Sequence, residues 1–183
     1  MGAQAHERAS DIPPETHLED VMSTDTETQR ARAVTEGTGS WRGAVVAGIA
    51  GGAAMGVLMS LMNSAVLAVA IPGLYGLAPP ANGIAGWFVH LSHGAVLGVV
   101  FAGLLSVPAL REVTGSALRT TIAGLVYGVV IWIVLAALVM PVWLGAVGFP
   151  SPPPFPNFAV PSLLWHLVYG AVLGAVFPAV EGL

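Results

Sequence analysis

Cysteine is absent from the 183 residues, and so is lysine. The first absence excludes disulfides, thiolate metal sites and cysteine nucleophiles. The second leaves six arginines as the basic side chains: Arg8, Arg30, Arg32, Arg42, Arg111 and Arg119. Charge of either sign is scarce, at 9% of the chain, against about 25% in a soluble domain. So little charge cannot cover a water-exposed surface, and the lipid bilayer becomes the expected solvent. The apolar share of 55% and the mean hydropathy of +0.79 agree with this. Catalytic constellations are missing as well. No carboxylate pair falls in an apolar stretch, and there is no Walker loop, G-x-S-x-G or H-E-x-x-H. No catalytic residue is therefore expected, and the chain is read as a non-enzyme. Nucleic acid is disfavoured as a partner by the same shortage of basic residues.

What charge exists is unevenly placed. Residues 1–40 hold eight acids and three arginines, a net of −5; residues 41–183 hold two acids and three arginines, a net of +1. The first segment has few aromatics, a Pro13-Pro14 pair and no apolar period, so it reads as a disordered acidic tail. An acidic, lysine-free tail is also what a salt-loving organism tends to use.

Residues 41–183 read as a four-span membrane domain, with spans at about 43–71, 84–107, 120–143 and 162–180. About 20 apolar residues cross a bilayer core. Proline- and glycine-rich loops separate the first span from the second and the third from the fourth. Arg30, Arg32 and Arg42 precede the first span, and Arg111 and Arg119 lie between the second and third. The other two loops carry no charge. The positive-inside bias then predicts a cell-membrane protein with both termini in the cytoplasm and both proline-rich loops outside. Trp87, Trp143 and Trp165 would sit near the outer interface and Trp41 near the inner one.

One stretch occurs twice. His90-Leu91-Ser92-His93-Gly94-Ala95-Val96-Leu97-Gly98 is answered, 76 residues on, by His166-Leu167-Val168-Tyr169-Gly170-Ala171-Val172-Leu173-Gly174. The same shift relates Gly48 to Gly124, Gly52 to Gly128 and Pro80 to Pro156. The expected fold is therefore an all-α transmembrane four-helix bundle made of two tandem hairpins. Each hairpin has two spans, so both face the same way, related by a pseudo-two-fold axis along the membrane normal.

Glycines four residues apart share a helix face and let a partner helix approach. Gly48, Gly52, Gly56, Gly94, Gly98, Gly124, Gly128, Gly170 and Gly174 are assigned to helix packing on that ground. His90 and His166 lie on the same stripes and so point into the bundle, about 9 Å below the outer surface if each stands six residues from its helix end. Three uses are open to them. Each can donate to a carbonyl or hydroxyl on an adjacent helix. The pair can bind haem b axially, or a metal with help from His93. They can also line a proton or solute path in an oligomer. Tyr169 is the counterpart of His93. No carboxylate lies in the spans to orient the rings, so the leading reading is a structural or accessory membrane protein without a cofactor. Its partners would be the bilayer and a second copy or another membrane protein.

Three motifs, Trp87-Phe88-Val89-His90-Leu91-Ser92-His93-Gly94, Met140-Pro141-Val142-Trp143-Leu144-Gly145 and Pro153-Pro154-Phe155-Pro156-Asn157-Phe158, resemble a family of small multipass proteins from halophilic archaea. The resemblance covers residues 41 to 180. It implies a membrane location and adds no chemistry. The name histidine kinase, attached to some members, implies an ATP-binding domain, which this chain does not have.

Overall fold

The computed structural model describes residues 16–183, with side chains from residue 41 onward except that of Arg111. Helix α1 (Thr16–Ala65), a π-helical turn at Val66–Ala70 and the short α2 (Ile71–Gly73) follow one another, and their apolar part, Trp41–Gly73, is the first span. Helix α3 (Gly83–Leu105) is the second span. A 3₁₀ turn at Pro108–Val113 leads to α4 (Ala117–Ile131), a π-helical segment Trp132–Val139 and α5 (Met140–Ala146), which together make the third span. Helix α6 (Val160–Val180) is the fourth. The described residues contain no strand. The chain is an all-α four-helix bundle and a multi-pass membrane protein. Every span boundary lies within three residues of its expected place.

The expected tail, residues 1–40, lies outside the described residues as far as residue 15. From Thr16 onward its backbone is helical. Alanine, glutamate, glutamine and arginine in this stretch are good helix formers, and that local preference needs no apolar period.

Both long spans end in the same way. Gly76 and Gly148 take positive φ, at 68° and 74°, which a side chain would resist. The next residue then donates back into the helix: Leu77 N–H to the Pro72 carbonyl at 3.0 Å and Phe149 N–H to the Leu144 carbonyl at 2.9 Å. This is the Schellman stop. The second span starts on Asn82, whose side chain accepts from the Ala85 N–H at 3.1 Å. The fourth starts with Pro161 in its first turn, where the missing N–H costs nothing.

A π-turn inserts a residue and frees a carbonyl. The loops fill both vacancies. Asn82 N–H donates to the Ala68 carbonyl at 2.7 Å, and Asn157 N–H to the Ala137 carbonyl at 2.9 Å.

Glycine contacts close each hairpin. A Cβ on Gly48 would land on the Gly94 carbonyl oxygen, and one on Gly124 would land on that of Gly170. Gly98 faces the Ala44 carbonyl as Gly174 faces that of Thr120. Gly128 lies against the His166 carbonyl, whereas Gly52 makes only ordinary contact with the Gly94 Cα at 3.6 Å. Gly56 accommodates the Trp87 ring. The contacts recur at the same offset of 76 in the two hairpins. Gly43, Gly51 and Gly86 also take close neighbours, Val180, Tyr169 and Leu67. Gly51 and Gly43 bring the first span against the fourth.

The hairpins meet along aromatic rings. Phe101 and Phe177, equivalent under the shift, stack edge-on with centroids 5.9 Å apart. Phe101 also leans on Tyr127, centroids 5.3 Å apart. Tyr127 donates its hydroxyl to the Leu97 carbonyl at 2.9 Å, and Tyr169 donates to the Gly94 carbonyl at 2.9 Å. Trp165 departs from the expected interfacial belt. It is buried, 4% exposed, and its indole N–H points at the Met62 sulfur, 3.2 Å away. The large flat ring fills space between the first and fourth spans, where burial outweighs an interfacial position. Trp41 and Trp143 are exposed, as a belt requires.

Candidate functional site

The halves of the bundle differ. Towards the 3₁₀ link, Phe101, Leu105, Leu173 and Phe177 fill the interior. Towards the proline-rich loops the spans border an open-sided cavity of about 920 Å³. Its volume lies at the upper end of the range of about 300–1,000 Å³ usual for small-molecule sites. The first and third spans contribute irregular turns to its wall. Both carry their π-turns at this level, and Val66, Val69, Leu135 and Val139 from those turns line the cavity. Asn63, also in the wall, has φ −158° and ψ 80° inside the helix. Irregular turns of this kind are frequent at functional sites.

The four candidate polar residues all line this one cavity. His90 is 6% exposed, and its Nε2–H donates to the Gly52 carbonyl of the first span at 3.0 Å. It thereby bridges adjacent helices, as one of the three expected uses requires. His166 does otherwise. Its Nδ1–H donates to the Ser162 carbonyl one turn back in its own helix, at 2.6 Å. The expectation of a bond to an adjacent helix is corrected for this residue. The reason is local: the ring has turned along its own helix, where a carbonyl four residues back is always in reach. Tyr169 is committed to the Gly94 carbonyl. His93 is held by Tyr75, hydroxyl to Nε2 at 2.6 Å, with ring centroids 5.8 Å apart.

A carbonyl oxygen only accepts, so the nitrogen facing it carries the hydrogen. An uncharged imidazole has one N–H. His90 therefore keeps Nδ1 as a bare acceptor, and His166 keeps Nε2. The Cδ2 edge of His90 faces Gly56, and its Nε2 faces Gly52, so its Nδ1 edge is turned away from the first span. Axial haem ligation through Nε2 of His90 would have to break the bond to Gly52. Among the described residues no group of three histidine or acidic side chains is placed to hold a metal ion.

Several residues of the site carry no signal in the sequence. Asn157 and Phe149 come from the proline-dense loop, and Leu74 and Tyr75 from the end of the first span. Trp143 joins them by donating its indole N–H to the Leu74 carbonyl at 2.9 Å. Ser60 and Ser92 bond carbonyls four residues back in their own helices, at 2.8 Å each, which fits packing and not nucleophilic chemistry.

Set against protein-family models, curated proteins and solved structures, the chain matches none of them.

Proposed function

We propose that the protein is a non-enzymatic membrane protein that works as a binding module, holding a small membrane-soluble molecule between its spans. The observation that carries this reading is the cavity of about 920 Å³ at one end of a bundle whose other end is packed by aromatic and aliphatic side chains. A bundle serving only as scaffold gains nothing from such a void, because the atoms lining it lose contacts. The packed end also favours binding over conduction, since Phe101, Leu173 and Phe177 stand where a solute path would continue. The absence of paired carboxylates from the spans supports the non-enzymatic part.

Nile red binding to the protein in nanodiscs tests it. Ala136→Trp puts an indole into the cavity wall and is expected to weaken the dye by about tenfold or more. Equal affinity for the two proteins would show that the dye sits elsewhere and would remove the support.

We further propose, on the arginine bias, that both termini and the 3₁₀ link are cytoplasmic and that the cavity lies in the outer half of the membrane. Because the chain has no cysteine, single introduced thiols report cleanly. A membrane-impermeant maleimide on intact cells is expected to label Ser151→Cys and to spare Gly115→Cys. The reverse pattern inverts the topology.

A further inference from the structure

The cavity has a side opening as well as a chemistry. Spans two and three meet at its floor, through Tyr127 on Leu97 and Phe101 on Tyr127. At the loop end they are bridged by the Leu74-Tyr75 segment, which holds Trp143 of one span and His93 of the other. Above the floor, Val96 of span two lines the cavity at 62% exposure, and Tyr75 and Trp143 of the bridge line it at 58% and 52%. Lining side chains as exposed as these mark a window between the two spans. Leu135 and Val139 of span three also line the cavity, so the window is bordered by apolar side chains and opens to lipid tails.

Inside, the lining contains no charged side chain. A phosphate or an ammonium brought here would lose its water and find no opposite charge, which is costly. His93 and Tyr169 are held by Tyr75 and by the Gly94 carbonyl, and the deep polar atoms left for a ligand are the bare imidazole nitrogens of His90 and His166. His90 stands seven residues from the start of α3 and His166 six from the start of α6, so they lie at matched depth. Both accept and neither donates. The amides of Asn63 and Asn157, nearer the loops, can do either and do not discriminate.

Resting on the proposed binding role, we infer that the ligand is an uncharged amphiphile with a hydroxyl head. Its hydroxyl donates to Nε2 of His166, and its hydrocarbon tail leaves through the window between spans two and three into the bilayer. A carbonyl-headed molecule of the same size would set acceptor against acceptor. The two imidazole nitrogens facing the cavity would then stay unpaired under the ligand, and a site built for a hydrogen bond discriminates against a molecule that lacks it.

The test is a matched pair, an all-trans C20 prenol and its aldehyde, each titrated against Nile red on the wild-type protein in nanodiscs. The chain has no lysine to trap the aldehyde as an imine. The alcohol is expected to bind about tenfold tighter, a difference of about 1.4 kcal/mol. His166→Phe removes one acceptor and is expected to shrink that preference at least threefold. Equal affinity for alcohol and aldehyde in the wild type overturns the inference without need of any variant, and leaves the cavity as a binding site. A preference unchanged in His166→Phe also overturns it. If neither prenyl molecule displaces a dye that Ala136→Trp does exclude, the ligand class is wrong and the binding role survives. If Ala136→Trp does not exclude the dye, the binding role itself falls.

Discussion

Alanine at Gly124 is expected to lower the melting temperature of the purified protein by about 10 °C, while alanine at Gly103 leaves it unchanged or raises it. The two glycines differ in nothing that propensity can see. Both are in spans, and in a helix each is about 1 kcal/mol worse than alanine. Their surroundings differ. A Cβ on Gly103 meets nothing within 4 Å, and one on Gly124 lands on the backbone oxygen of Gly170. Backbone cannot rotate out of the way as a side chain can, so α4 and α6 must separate. Overpacking costs about 1–3 kcal/mol. Here the upper end applies, and at about 2–4 °C per kcal/mol for a domain of this size the shift is about 10 °C. Thermal unfolding of both variants in one detergent checks the prediction. Equal shifts would mean that the third and fourth spans are not in contact at this point.

The second large effect separates the two histidines. His90→Ala is expected to destabilise the bundle by about 3 kcal/mol and His166→Ala by about 1 kcal/mol. His90 ties the second span to the first through Gly52. Its ring also stands edge-on to Trp87 at 6.4 Å and fills space beside Gly56. Its removal costs a hydrogen bond, about 1 kcal/mol, and opens a void beside Trp87 and Gly56, which adds about as much again or more. Both rings border the cavity, but His166 bonds only within its own helix. Its loss takes a local bond and little packing. Unfolding titrations of the two variants measure the difference, and equal losses would contradict the asymmetry.

That asymmetry marks how far the sequence could be read. The four spans were legible because apolar length is a property of composition. The glycine contacts were legible because a period of four on a helix is a face, and a glycine face inside a membrane meets another helix. His90 donating to a neighbouring carbonyl followed from the same stripe. His166 occupies the equivalent position, yet its ring turned along its own helix, and a side-chain rotamer has no periodic trace. The cavity was not legible at all. It is lined in part by the π-turns at Val66–Ala70 and Trp132–Val139, and both segments are strings of ordinary apolar residues. The closing partners, the backbone N–H groups of Asn82 and Asn157, belong to every residue except proline, so nothing in their identity announced them. Trp165 was misplaced because a tryptophan near a span end serves equally as an interfacial anchor or as a filler of the interior, and only its neighbours decide.

The meeting of Phe101 with Phe177 carries a consequence for the symmetry of the interior. Equivalent side chains of two similar surfaces touch each other where those surfaces face each other, which is the geometry of an isologous interface. The first span lies on the fourth through Gly51 and Tyr169, and the third reaches the second through Tyr127 and Leu97. In these terms the two hairpins meet as the protomers of a two-fold dimer would, within one chain and joined by residues 106–116. The match breaks at the cavity, where His93 stands opposite Tyr169 in the count, and where His90 bonds the neighbouring span while His166 bonds its own helix.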